Sequence, residues 1–200
     1  MTPHSVVALH LHSSASDGVL DPVALVAHVA GCGVRLMALT DHDTVAGLED
    51  ADAATRALGI VLVAGVELSV DWRGRTLHVL GLAIDPRAVV LVQGLRRLQE
   101  LRSLRAEHIA SRLASAGAPG REALTMVCAV GRLPTRMHFA RALVALGAAP
   151  DVATAFDRWL GRGRPGHFAT EWPSLAEATG WVAAAGGMAF SSILYTSTGN

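Results

Sequence analysis

Between residues 5 and 84 the chain alternates short apolar runs with stretches of helical periodicity, and few folds accept that order. "SVVALHL" (5–11), "RLMALT" (35–40) and "IVLVAGVELSV" (60–70) read as strands. "DPVALVAHVAGCG" (21–33) reads as a helix, with Asp21 as its cap, Pro22 in the first helical position and Gly33 closing it. "TVAGLEDADAATRALG" (44–59) is a second helix ending at Gly59. Strand, helix, strand, helix, strand at this spacing predicts parallel strands joined by helical crossovers. "RTLHVLGLAI" (75–84) follows a short turn in "DWRGR", so it is expected to form a hairpin with the third strand.

From about residue 88 to 165 the pattern turns helical. One long helix is expected over "VVLVQGLRRLQELRSLRAEHIASRLASAG", with a break near Gly94, and three shorter ones over "REALTMVCAVG", "TRMHFARALVALG" and "DVATAFDRWLG". "SLAEATGWVAAAGG" (174–187) resumes the earlier pattern, with a capping box expected from Ser174 and Glu177. "GMAF" (187–190) is expected to begin another buried strand. The tail, "SSILYTSTGN", does not continue that strand as a Val/Ile/Leu-rich run.

Composition narrows the chemistry. Apolar residues make up 51% of the 200, enough for a sizeable core, and the formal net charge is zero. That balance argues against duplex DNA binding. All 17 basic residues are arginine, which excludes a Schiff-base lysine, a P-loop lysine and a carboxylated-lysine metal bridge. Arginines cluster in "LRRLQELRSLR" and "RWLGRGRPG". No apolar run approaches the roughly 18–20 residues that span a bilayer, and "MTPHSVV" lacks a signal peptide's basic start. Cys32 and Cys128 are too few for a disulfide framework, so a cytoplasmic setting is expected.

The polar residues fall at strand ends. His10 and His12 are one residue apart on the first strand, so both imidazoles point to one face. Asp17 follows in the next loop, and "TDHDT" (40–44) places His42 between two aspartates at the end of the second strand. Glu67 comes late in the third strand and His78 sits in the fourth. In a parallel barrel the carboxyl ends of the strands converge on one rim. Imidazoles mixed with carboxylates there suit Zn, Mn or Fe. His28 and His108, each alone on a helix, read as packed core residues.

"LHLHSSASDG", "ALTDHDTVAGLEDA", "GVELSV" and "LHVLGL" closely resemble the PHP family, the polymerase and histidinol phosphatase superfamily, over residues 5 to about 190. The resemblance is strongest to small bacterial phosphoesterases of the 3′,5′-nucleoside bisphosphate phosphatase and 5′–3′ exoribonuclease subgroup. It implies an α/β fold: a distorted (β/α)7 TIM-like barrel formed by residues 1–87 and 166–200, interrupted by a helical insertion at 88–165. It also implies a cluster of up to three divalent ions, Mn2+ foremost, with Zn2+ or Fe2+ as alternatives. His10, His12 and Glu67 would hold one ion, Glu67 would bridge to a second shared with His78, and Asp17 and His42 would hold a third. The implied reaction is hydrolysis of a phosphomonoester on a nucleotide or short RNA end. Its cations lower the pKa of the attacking water from about 15.7 toward 7 and neutralise phosphoryl charge. Arg136 and His138 open a helix whose N-terminus favours phosphate, and Arg162 and Arg164 offer planar forks for a second phosphate.

The sequence departs from the family in three places. Position 8 is Ala where the family has Asp, removing a support for histidine orientation. Position 193 is Ile where the family completes its second metal site with His. The sequence ends at Asn200, before the family's late Asp and His ligands. These departures lead to an expectation of a truncated, open barrel with weak or absent catalysis. Two other readings stay open: a catalytically inactive, metal-binding remnant of such an enzyme, and an amidohydrolase, whose barrel also opens on H-x-H.

Overall fold

The computed structural model describes residues 6–129 and 133–191. Five strands form one sheet in the order β1-β2-β3-β4-β5. They are β1 (Val7–Leu11), β2 (Leu36–Leu39), β3 (Val61–Trp72), β4 (Arg75–Leu82) and β5 (Met188–Ser191). The first three run parallel, as the crossover pattern requires, with α1 (Pro22–Gly31) and α2 (Leu48–Leu58) as the connections. Asp21 caps α1 by accepting from the Ala24 amide at 2.7 Å. Gly59, at φ +67°, ends α2 in the left-handed conformation that glycine adopts without steric cost.

The long strand β3 changes partner midway. Val61 to Ala64 pair with β2, and Gly65 to Trp72 pair antiparallel with β4. The β3–β4 link is the expected hairpin. Arg73 and Gly74 both take positive φ, +55° and +72°, the pattern of a tight two-residue turn that matches strand twist. Because β4 runs backward, β5 pairs antiparallel with it while running in the direction of β1–β3.

Helices α3 (Val89–Ser115), α4 (Gly120–Ala129), α5 (Arg136–Ala145) and α6 (Val152–Ala155) fill the middle of the chain. The last runs straight into a π turn, Phe156–Leu160. The chain returns to the sheet through α7 (Leu175–Ala184). Three cores result. One lies between β1–β3 and α1–α2 around Met37 and Leu39, and a second between β3–β4 and α3 with α7 around Leu68 and Leu98. The third is wholly helical, around Phe139, Leu113 and Leu160.

The sheet is open among the described residues, in line with the expected incomplete barrel. Several other expectations are corrected. β5 is exposed along its length, with Met188 59% and Phe190 46% accessible, because it lies at the sheet's edge. Helix α3 passes unbroken through Gly94, whose missing Cβ makes room for the Trp181 ring. Helix α2 starts at Leu48, after a turn in which Thr44 Oγ1 accepts from the Ala46 amide at 3.2 Å. Ser174 caps α7 by accepting from the Glu177 amide, but the Glu177 carboxylate turns to Arg97 at 2.6 Å. The reciprocal capping box occurs instead at Thr135 and His138. His28 and His108 are exposed, since α1 and α3 bury Leu25, Val26 and Ile109 on other faces. Cys32 and Cys128 are free and exposed. No described helix is long and apolar enough to cross a membrane. Position 193 lies outside the described residues.

Candidate metal centre

The six expected ligand candidates meet at one end of the parallel strands. A register shift in β1 between Ala8 and Leu11 inserts an extra residue beside His10, a bulge of the kind that re-aims side chains near sites. His10 and His12 then converge with their Nε2 atoms 3.0 Å apart. A single parallel bridge pairs His42 with Glu67. It is made by the Glu67 amide donating to the Asp41 carbonyl at 3.1 Å and the Asp43 amide donating to the Glu67 carbonyl at 2.9 Å. The β3–β4 register adds His78 opposite Ser69.

Glu67 Oε2 is the focus. It lies 3.0 Å from His10 Nε2, 3.0 Å from His12 Nε2 and 3.4 Å from His42 Nδ1. Glu67 Oε1 is 3.6 Å from His78 Nδ1, and the Nδ1 atoms of His78 and His42 are 3.2 Å apart. Asp17 faces the cluster from its loop, 3.8 Å from His12 Nδ1 and 3.8 Å from His42 Nε2. Three overlapping triads result, His10–His12–Glu67, His12–Asp17–His42 and His42–Glu67–His78, with the ligand atoms of each within 4.8 Å of one another. Ring nitrogens facing one another at 3.0 and 3.2 Å, gathered on one carboxylate, form a mixed imidazole–carboxylate donor set. That donor set fits divalent cations.

The electrostatics agree. Burial works to raise the Glu67 pKa, yet hydrogen bonds from His12 and His10 and the charges of His42 and His78 hold it well below the ordinary carboxylate range. Burial, then the Arg102 charge, pushes His42 well below its usual value, and burial lowers His78. Burial also acts to lower His12, but Glu67, Asp17 and Asp41 outweigh it and raise the group. Both shifts favour the neutral form of the imidazole, the form that binds a cation.

Asp41 and Asp43, which flank His42, are not among the expected ligands and bond to the supporting backbone and side chains instead. Asp41 accepts from the Ser13 amide at 2.7 Å, Ser13 Oγ at 2.6 Å and Ser16 Oγ at 2.6 Å, which pins the loop carrying Asp17. Arg141 of α5 donates to the Asp17 carbonyl at 2.9 Å from the far side. Alternation within "DHD" was the available signal: neighbours on an extended segment point to opposite faces.

Beside the cluster is a cavity of about 760 Å3, lined by Arg75, Arg105, Arg136, Arg162, His167 and Trp172 among others. Thr76 also lines it, two residues from His78 on the same strand. Two of the four expected substrate residues, Arg136 and Arg162, reach this wall. His138 uses Nδ1 to accept from the Thr135 amide at 3.2 Å in the α5 cap. Arg164 pairs on the surface with Asp157 at 3.0 Å. Arg105 and His167 carried no expected role. Burial, then the Arg136 and Arg102 charges, pushes the Arg105 guanidinium down to about 9. Its buried Nε has no hydrogen-bond partner among the described residues.

Comparison with known proteins agrees with this geometry. The chain is 41% identical over 184 residues to a 3′,5′-nucleoside bisphosphate phosphatase of Chromobacterium violaceum, covering 92% of this chain and 65% of that protein. It is 40% identical over 184 residues to a 5′–3′ exoribonuclease of Haemophilus influenzae, covering 90% of this chain and 66% of that protein. A solved Chromobacterium violaceum structure described as an amidohydrolase, with bound sulfate and no metal, superposes with a TM-score of 0.88 at 40% identity, covering 92% of this chain and 66% of that one. The chain thus spans just under two thirds of the length of these relatives. Residues 8–171, which carry the histidine–carboxylate cluster and most of the cationic wall, match the PHP domain, and the chain belongs to that family.

Proposed function

We infer that the chain carries the metal centre and much of the substrate cleft of a phosphoesterase that removes phosphate from a nucleotide such as a nucleoside 3′,5′-bisphosphate, or trims short RNA from its 5′ end. The observation that carries this reading is Glu67 Oε2, faced by three imidazoles and shared between triads. His10, His12 and Glu67 would hold one cation, Glu67 and His78 a second, and Asp17 and His42 a third. Mn2+ is the proposed ion, with Zn2+ or Fe2+ able to occupy the same donors. Bound there, the cations lower the pKa of water and neutralise charge on the phosphoryl oxygens.

The protein's own groups supply grip and orientation. Arg105, Arg136 and Arg162 gather positive charge beside the cluster, and an anion would give the Arg105 Nε its missing partner. Arg136 and His138 occupy the first turn of α5, where backbone amides favour phosphate. Arg164 stands two residues from Arg162 in the same loop and adds to its field. In this reading the five-stranded sheet is part of a distorted (β/α)7 barrel comprising 1–87 and 166–200, and residues 88–165 are an insertion with a core of its own. The names of the relatives support the substrate class.

The test is phosphate release from adenosine 3′,5′-bisphosphate with Mn2+ present. Turnover by the wild-type chain is expected to be weak, to stop when EDTA is added, and to fall at least about 100-fold further as Glu67→Gln, which removes a ligand shared by two triads. Mn2+-dependent turnover that survives Glu67→Gln unchanged would overturn the assignment.

A further inference from the structure

Arg102 lies on α3, outside every strand that carries a ligand candidate, yet its guanidinium is 3% accessible and ends beneath the metal centre. Its Nε donates to Asp43 Oδ2 at 2.5 Å and its Nη2 to Ser69 Oγ at 2.9 Å. Asp43 is fully buried and sits at φ +51°, a left-handed conformation that Asp and Asn tolerate better than most residues. Its Oδ1 accepts from the Ser69 amide at 2.7 Å, and its carbonyl accepts from Gln99 Nε2 of the same helix at 3.0 Å. Each partner adjoins a ligand candidate. Asp43 follows His42 and donates its amide to the Glu67 carbonyl, while Ser69 lies two residues beyond Glu67 on the same face and opposite His78. One guanidinium therefore ties together the two segments that present His42 and Glu67, and the second of these is paired with the strand that carries His78. The His10–His12 side has a separate tether in Asp41, Ser13 and Ser16, with no bond to Arg102 among the described residues.

We propose that Arg102, acting through Asp43 and Ser69, is a positioning residue that sets the His42–Glu67–His78 triad specifically, so that the helical segment governs occupancy of one ion of the cluster. The proposal rests on the metal reading above. Fixing the backbone just beyond His42 and Glu67 holds their donor atoms at one separation, and outer partners of this kind typically tune affinity about 10–100-fold. The planar fork matters because a lysine cannot reach both the Asp43 carboxylate and the Ser69 hydroxyl.

Titration of the metal-free full chain with Co2+, followed by visible absorption and circular dichroism, tests this. The double variant Arg102→Met/Asp43→Asn removes both charges together, so no buried ion is stranded. It is expected to weaken one cobalt about 10–100-fold, and the spectral component lost is expected to be the one lost in His78→Ala. Arg102→Lys is expected to weaken the same component by less, and it carries the test if the double variant does not fold. Unchanged cobalt affinities in folded variants, or equal weakening of every ion, would overturn the positioning role alone. Wild-type protein that takes up no cobalt would overturn the metal reading and this proposal with it.

Discussion

At the scale of single residues, the cluster couples metal and proton. His12 is raised by Glu67, Asp17 and Asp41 against the opposing effect of burial, so it keeps its proton to higher pH than a free imidazole does, and a cation must displace that proton where it is held. His42 and His78 are lowered and have none to give. Raising the pH from about 6 to about 8 is therefore expected to tighten Mn2+ binding through His12, with proton release on binding. Calorimetric titrations in buffers of different ionisation enthalpy measure both, and an affinity flat across that range would contradict the assignment. The six residues that meet in the cluster were legible in the sequence as candidates because His10, His12 and His42 fall in histidine- and aspartate-bearing motifs at strand ends and Asp17, Glu67 and His78 follow on neighbouring segments. Asp43–Arg102 was not, since it joins residues 59 positions apart and depends on how α3 crosses the sheet. Arg105 was hidden for the same reason: along a helix it reads as one more solvated arginine.

At the scale of elements, glycine decides how α3 meets α7. A Cβ added to Gly94 would lie 2.5 Å from Trp181 Cδ2, which explains why a residue that reads as a break sits in an unbroken helix. Replacing it with alanine gains about 1 kcal/mol in helix propensity. Overpacking a filled site costs about 1–3 kcal/mol. A net loss of about 1 kcal/mol is expected for Gly94→Ala by urea denaturation, and a more stable variant would show that the ring yields freely. Element types were readable because periods of two and 3.6 residues alternate cleanly up to residue 84 and caps such as Asp21 mark the joins. Boundaries failed where a turn had its own hydrogen bonds, as in Thr44–Gly47, and the burial of β5 failed because a short apolar run cannot report whether it lies inside a sheet or at its edge.

At the scale of the whole molecule, the sheet has two edges among the described residues, β1 and β5, and both show apolar side chains: Val7 is 41% accessible and Phe190 46%. Edges of this kind template pairing with other chains. The 200-residue protein is expected to self-associate with rising concentration in sedimentation velocity, and Val7→Lys with Phe190→Lys to shift it toward monomer. Sedimentation unaffected by those charges would mean that the edges are covered. The division of the site along the chain has a further consequence. Every ligand candidate comes from the first 78 residues, whereas Arg105, Arg136, Arg162 and His167 come from the helical middle and the loop after it. Arg102 apart, exchange or drift in that middle stretch would recast the charge lining the cavity and leave all six ligand candidates in place.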